Sequence, residues 1–342
     1  MYEHFFKSAP VISWLTWIRR RIWSPENQEP SQIPTELLQQ PILSPTGIQP
    51  TKLRLDKVQE YSLFLQNFFY PTTQAVQLVL PLTVFQAGIQ SKLFQGCEIR
   101  DSAGALAGIV GCMYAGKFKE QPVGVITWLC VHPSWRKKGM SNALLRGVYK
   151  LAQPYKIHLW RNDGILASPT PPLWSEGRIV RKKQFQRVRS CVDKPQIQLQ
   201  RVPLNKWRQH ITAEWLRRNP TGLVLDDPTF TARIVEIYEY TVKPGAICIL
   251  CVQPTFERQR QTGEPWCEVI TWAFQGISEN EYIQSQYIET MLDALPYCWF
   301  EASSTMPHLQ EGWLNSGQSS WSLFGLDPGT PVQRPVISLC AN

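Results

Sequence analysis

The sequence predicts an α+β protein of two tandem domains, each built on a mixed central sheet flanked by helices. Three observations carry this. Residues 123–152 run from an apolar strand into a basic loop containing Gly139 and out into an amphipathic helix. Residues 246–326 repeat a strand, strand, helix, strand rhythm. The chain has 342 residues, enough for two cores, and its 43% apolar content with 14 Trp excludes a disordered chain.

Taken in order, residues 11–23 place Ile12, Trp14, Leu15, Trp17, Ile18, Ile22 and Trp23 around Arg19-Arg20-Arg21. They lack the leading positive region and small-residue cleavage site of a signal peptide. Two readings stay open: a basic amphipathic segment for a membrane surface or ribosomal RNA, or a helix packed on the body with its arginine face in water. Pro25, Pro30, Pro34, Pro41, Pro45 and Pro50 make the following stretch an extended arm. Helical texture covers 53–69. Strands at 97–100 and 106–115 flank the turn Asp101-Ser102-Ala103-Gly104.

The strand at 123–131 is apolar almost throughout, as expected where both faces are covered. The helix after the loop opens at Ser141 or Asn142. Leu144, Leu145, Val148, Leu151 and Ala152 share one side, Arg146 and Lys150 the other, and Gly147 is a weak point in the propensity. A strand at 156–160 follows. The second half predicts strands at 246–252 and 266–274 joined by a long polar hairpin at 254–265. A helix at 287–295, a strand at 298–302, a helix at 308–314 and a strand at 320–326 complete it. Val-Ile-Thr-Trp occurs at 125–128 and again at 269–272, on different strands of this scheme, and is treated as coincidence. The expected boundaries are an arm at 1–50 and domains at 51–202 and 203–342.

The loop Trp135-Arg136-Lys137-Lys138-Gly139-Met140-Ser141 has the chemistry of an anion site. Successive inward N–H groups form a nest, and a helix start adds free N–H groups with partial positive charge. Gly139 lets backbone approach a phosphate closely. Arg136, Lys137 and Lys138 add charge. Arg136 and Ser141 are similar to the ends of the R/Q-x-x-G-x-G/A pattern of GNAT acyltransferases, which hold the pyrophosphate of acyl-coenzyme A in this way. Basic loops with glycine are also common as solvated turns; the strand before and the helix after favour the anion site. The net charge of +8 agrees with an acidic partner without choosing among coenzyme A, nucleic acid and an anionic surface.

Two such domains with one loop resemble the N-myristoyltransferases, or glycylpeptide N-tetradecanoyltransferases. Ile126-Thr127-Trp128-Leu129-Cys130-Val131-His132 is similar to that family's I-N-F-L-C-V-H, and the loop is similar to its L-R-S-K-R-L-A. Phe5-Phe6-Lys7-Ser8-Ala9-Pro10-Val11 resembles F-W-x-T-x-P-V, and Asn162-Asp163-Gly164-Ile165 resembles T-A-G-V. The likeness is strong over 123–152, moderate at 5–11 and 159–172, and thin over 203–320.

The resemblance implies direct transfer of a myristoyl group from myristoyl-coenzyme A, a co-substrate rather than a resident cofactor, to the N-terminal glycine of peptides. It implies that backbone N–H groups of Trp128 and Leu129 hold the oxyanion, a contribution of roughly 3–4 kcal/mol per donor. Phe5, Phe6, Lys7, Ser8, Leu129, Cys130, Val131, Arg136, Lys137, Lys138, Gly139, Met140 and Ser141 would bind the donor. Thr127 and Asn162 would orient the amine, with residue types exchanged relative to the family. The terminal carboxylate on Asn342 would take the proton, and the second domain would form the peptide side. Cys130 is expected in the core rather than as a nucleophile, and His132 as a loop-start residue with a satisfied ring. The family's acidic run is absent from Gln66-Asn67-Phe68-Phe69-Tyr70-Pro71-Thr72-Thr73, and Gly139 stands where the family has arginine. The alternatives are a GNAT enzyme moving acetyl to an amine, and a GNAT-fold protein that binds without catalysis.

Nine cysteines are scattered, an odd number without a secreted framework. Cys248 and Cys251 lie on one predicted strand, three apart, and so face opposite ways. No metal site is expected. A monomer in the reducing cytoplasm is the expected state, and no run is long enough to span a membrane.

Overall fold

The structure, a computed structural model, describes residues 48–118, 120–151, 155, 157–163, 174–183, 199–218, 226, 228, 235–304 and 313–324. The first half contains β1 (Thr51–Lys52), α1 (Val58–Phe68), β2 (Val76–Leu78), α2 (Leu82–Gln90), β3 (Phe94–Arg100), β4 (Leu106–Phe118), β5 (Gln121–Val131), α3 (Met140–Leu151), β6 (Ile157–Asp163) and β7 (Trp174–Lys182). The second contains β8 (Leu199–Val202), α4 (Leu204–Arg218), β9 (Glu236–Lys243), β10 (Ala246–Gln259), β11 (Pro265–Gln275), α5 (Glu281–Ala294), β12 (Trp299–Ser303) and β13 (Leu314–Phe324).

Among the described residues the strands join one 13-stranded sheet in the order β1-β3-β4-β5-β6-β13-β7-β12-β11-β10-β9-β8, with β2 added on β10. The halves match pair for pair. In each, antiparallel strands lead to one parallel pair, β5·β6 or β11·β12, whose crossover contains α3 or α5. The next strands are exchanged. β7 leaves the first half to pair with β12, β13 leaves the second to pair with β6, and the two pair with each other at the centre.

Alternation along the strands sends side chains to two cores. On one face Cys97, Ile99, Val110, Cys112 and Ile126 pack under Leu144 and Val148 of α3. On the other, Phe94, Ile109 and Cys130 pack with Tyr61 and Leu65 of α1 and Phe85 of α2. In the second half Cys248, Leu250 and Trp272 pack against Ile288 and Leu292 of α5. Trp207 and Ile211 of α4 cover a shared core, with Val123, Val125 and Leu159 from one half and Ile249, Cys251 and Ile270 from the other. Cys248 and Cys251 therefore lie in different cores, on opposite faces, as the strand period requires. Among the described residues no cluster of three metal-ligating side chains occurs, and no helix is long and apolar enough to cross a membrane.

The structure corrects several expectations. Residues 254–265 do form the polar hairpin, but most of it is strand rather than connection: β10 and β11 keep pairing out to Arg258↔Pro265, and Gly263 turns the chain at φ +71°. The polar composition hid the strands because this arm lies on the first half. Glu257, Arg258 and Gln259 pair with β2, Arg260 N donates to Ala75 O at 2.7 Å, and Arg260 Nε donates to Gln74 O at 3.0 Å. Helix α5 starts at Glu281, six residues early, because Asn280 Oδ1 caps it by accepting from Ile283 N at 3.2 Å. Of the helix expected at 308–314, residues 308–312 lie outside the described residues, and Leu314 opens β13.

Val-Ile-Thr-Trp falls on corresponding strands, β5 and β11, not different ones. Aligned at the last parallel pair of each half, however, Ile126 matches Glu268, so the tetrapeptides sit two residues out of register. Gly147 is no weak point either. A Cβ there would stand 2.6 Å from Pro50 Cβ and 2.9 Å from Cys97 Sγ, so its absence lets α3 seat on the sheet. The predicted turn is as expected: Asp101 Oδ1 accepts from the N–H groups of Ala103 and Ala105, and Gly104 takes φ +82°.

Candidate active site

The site forms where β5 leaves β6. The parallel pairing runs from Val123↔Ile157 to Ile126↔Trp160 and ends there. β5 continues along β4 as far as Val131↔Gly108, so beyond Ile126 its second edge no longer pairs with β6 and leaves a gap between the two strands. On the β4 side, Cys130 pairs with Ile109 and Thr127 with Gly111, which leaves Trp128 and Leu129 opposite the single residue Val110. This is a β-bulge, a device that takes N–H groups out of a ladder and re-aims them. Trp128 adopts φ +52°, a region where a bulky residue is a true outlier and whose strain clusters at functional sites.

Thr127 stands one residue beyond the last parallel pair on β5, and Asn162 two residues beyond it on β6, paired by backbone with Ser320. The structure thus brings Thr127, Trp128, Leu129 and Asn162 to the two lips of one gap. The Asn162 side chain is outside what is described.

The strand end feeds the basic loop. His132 Nδ1 lies 2.7 Å from Ser134 Oγ, and its ring meets Phe68 edge-on at 4.6 Å, so it is engaged locally. Arg136 Nε donates to Val131 O at 3.0 Å and a terminal nitrogen donates to Phe68 O at 2.8 Å. Its guanidinium fastens the end of β5 to the end of α1, a role that the pattern alone did not show. Lys138 Nζ sits 4.8 Å over the Trp135 ring. Lys137 at φ +64° and Gly139 at φ +74° give the loop two left-handed residues, and backbone turned in this way forms a nest of N–H groups. The first α-helical bond runs from Ala143 N to Gly139 O at 3.2 Å. The N–H groups of Met140, Ser141 and Asn142 therefore precede it at the helix start, where anions bind. No acidic residue occurs from 132 to 152.

Cys130 is buried between Ile109 and the α1–α2 core, and burial pushes its thiol up to about 12. Burial thus disfavours the thiolate and argues against Cys130 as a nucleophile.

Below the bulge lies an aromatic block that the sequence reading missed. Trp128, Phe94 and Phe85 contact one another at ring separations of 4.9, 5.1 and 5.7 Å. Phe94 fits because two glycines make room: a Cβ on Gly111 would lie 2.5 Å from its ring, and one on Gly88 3.0 Å from its Cβ. Phe256, from the β10 arm, joins the same core and is held at φ +60°. Neither glycine carries a sequence signal for this, because the contact exists only once α2, β3 and β4 are assembled.

Phe5, Phe6, Lys7, Ser8 and Asn342 lie outside the described residues. The second half has no matching anion loop. Between β11 and α5 run Gly276, Ile277, Ser278, Glu279 and Asn280, and the Asn280 side chain occupies the helix start, with Glu281 next to it.

No protein-family model and no curated protein matches the sequence. Solved structures match in fold. Saccharomyces cerevisiae N-myristoyltransferase with bound myristoyl-coenzyme A superposes with a TM-score of 0.58 at 11% identity, over 89% of this chain and 86% of that one. The same yeast enzyme with bound myristoyl-coenzyme A and inhibitors gives 0.56 at 10% identity, over 90% and 89%. The chain has the N-myristoyltransferase fold. The expectation of two tandem α+β halves, each on mixed strands flanked by helices, holds, with the exchange of β7 and β13 as the feature that periodicity did not reveal. At this identity the likeness concerns architecture; what the site does rests on its own residues.

Proposed function

We propose that this protein is an N-acyltransferase that moves a myristoyl group from myristoyl-coenzyme A to the N-terminal glycine of a protein or peptide. One observation carries the reading: the Trp128–Leu129 bulge opens beside the β5–β6 gap and leads through one short loop to the nest at Lys137–Gly139 and the start of α3. A pyrophosphate at the nest would let the pantetheine arm run along the open edge of β5 to the bulge.

In this reading the acyl carbonyl lies at the bulge. N–H groups of Trp128 and Leu129 hold the charge that develops on its oxygen, a term of about 3–4 kcal/mol per donor in other oxyanion sites. The glycine amine attacks directly, Thr127 and Asn162 orient it from the two lips, and coenzyme A leaves as the thiol. Arg136 keeps the end of β5 and the loop in fixed relation through its bonds to Val131 O and Phe68 O. An α-amino group, with a pKa near 8, is partly neutral at physiological pH and needs no strong base. Peptides with N-terminal glycine are the acceptors this reading names.

A second reading, transfer of acetyl to an amine, is favoured by the aromatic block of Phe85, Phe94 and Trp128 directly below the bulge. Calorimetric titration with myristoyl- and acetyl-coenzyme A, followed by thiol release with glycine-initiated peptides, separates the two. Micromolar binding and turnover of myristoyl-coenzyme A supports the first. Turnover of acetyl-coenzyme A alone supports the second. Failure to bind either removes both.

A further inference from the structure

We infer that Phe94, wedged between Gly88 and Gly111, is the residue that limits how long an acyl chain the site accepts. The inference rests on acyl transfer at the bulge and, by placing Phe94 close to the carbonyl, favours short acyl groups over the myristoyl group of the first reading.

The donor nest and α3 lie on one face of the sheet, with Leu129 and Val131 packing toward that side. Trp128, Cys130 and Ile109 point to the other face, which α1 and α2 cover. An acyl chain whose carbonyl rests at the bulge, and whose coenzyme lies on the α3 side, extends toward the second face. The first groups it meets there are the ring of Trp128 and, beside it, the ring of Phe94 at 4.9 Å. Phe94 is close to the reacting position by construction. Its ring lies against Gly111, and Gly111 is the register partner of Thr127, immediately before the bulge.

The wedge is also rigid. Phe94 and Phe85 are 5% and 1% exposed, and Gly88 and Gly111 leave Phe94 no slack on either side. Phe85 backs it at 5.1 Å, and Tyr61 stands behind Phe85 at 6.1 Å. A chain that reaches Phe94 therefore stops, whereas Trp128, only partly buried at the lip, is the wall it passes. Close-packed interiors do not yield to an added methylene without cost, so a fixed ring at this place converts chain length into selectivity.

The test measures kcat/KM for straight-chain acyl-coenzyme A donors from two to eighteen carbons, with wild type, Phe94→Ala and Phe94→Leu. The last variant keeps most of the volume and guards against a failure to fold, which circular dichroism and a thermal melt report. Shortening Phe94 should lengthen the longest donor used, and the ratio of kcat/KM for the first excluded length to that for the preferred one should rise by about a hundredfold. A merely structural role would lower all donors together and leave that ratio fixed. If wild type transfers acyl groups and both variants, folded, keep the wild-type length profile, the inference is wrong while the enzyme reading stands. If wild type binds no donor of any length, both fall.

Discussion

Gly147→Ala is a substitution on which helix propensity and packing give opposite signs. Gly147 lies inside α3, where alanine is favoured over glycine by about 1 kcal/mol. Packing opposes this. A Cβ would stand 2.6 and 2.8 Å from Cβ and Cγ of Pro50 and 2.9 Å from Cys97 Sγ, where nonbonded carbons prefer roughly 3.5–4.0 Å. Cys97 cannot retreat, because β3 is held between β1 and β4 and the side chain is fully buried. Relief requires α3 to lift or Pro50 to move, and overpacking of this kind costs about 1–3 kcal/mol. The difference predicts a loss of up to about 2 kcal/mol rather than a gain of 1. Urea denaturation with a constant slope measures it. Pro50→Gly removes two of the three close contacts, so the double variant should be more stable than the sum of the singles by about 0.5–2 kcal/mol. A Gly147→Ala protein more stable than wild type, or strict additivity with Pro50→Gly, would refute the reasoning. Because α3 starts at the loop proposed to hold the donor, the same displacement should weaken acyl-coenzyme A binding under that reading.

Other outcomes follow from single residues. Lys137→Gly removes a left-handed lysine, a strain of about 1–2 kcal/mol, against about 0.5–1 kcal/mol of added chain entropy; the unliganded protein should melt higher while donor affinity, read by titration, falls with the lost charge. Cys130→Ala should lower turnover by no more than about tenfold, where loss of a covalent nucleophile costs on the order of a millionfold; a near-complete loss in a folded variant would restore the thiol to the mechanism. His158 is buried and its pKa is lowered to about 4 from 6.5 by desolvation. The unfolded chain takes up that proton first as pH falls, so His158 removes stability between pH 6.5 and 4, by about 3 kcal/mol at most. Unfolding free energies at pH 7 and 4.5 should show this slope in wild type and a flatter one in His158→Phe.

What the sequence made legible were contiguous signals. The apolar strand, the basic loop and the amphipathic helix at 121–151 are adjacent in the chain, and their chemistry is readable without tertiary knowledge. Cys248 and Cys251 were placed correctly because strand period alone decides their faces. What escaped depends on pairs of distant residues. The bulge at Trp128–Leu129 exists only relative to β4, and no pattern within β5 marks it. Arg136 looked free for phosphate because its partners, Val131 O and Phe68 O, are backbone atoms with no side-chain identity. The β10 arm looked like loop because its polar residues pair with β2 and hold backbone of the first half rather than entering a core. Phe94 was unremarkable until Gly88 and Gly111 were seen to enclose it.

The exchanged strands give a physical reason why two matching halves carry one candidate site. Each half has a parallel pair that ends, at Ile126↔Trp160 in the first and at Glu268↔Glu301 in the second. Two residues beyond those ends stand Asn162 on β6 and Ser303 on β12. The partner of Asn162 on β13 is Ser320, and the partner of Ser303 on β7 is Arg178. At this register position β13 thus has Ser320 where β7 has the long cation Arg178. Arg178 is 4% exposed, and its side chain donates to Glu268 at 2.7 Å and Glu301 at 3.2 Å, across the mouth of the second gap. A buried ion pair of this kind is costly to break from either side, so the second gap is closed by charge as well as by packing. The helix starts differ in the same sense, with Lys137, Lys138 and Gly139 before α3 and Glu279, Asn280 and Glu281 at α5. An anion is favoured at the first and disfavoured at the second. The two copies of one architecture thus differ because a swapped strand brings Arg178, paired with Glu268 and Glu301, to the second and a basic loop precedes the helix only in the first.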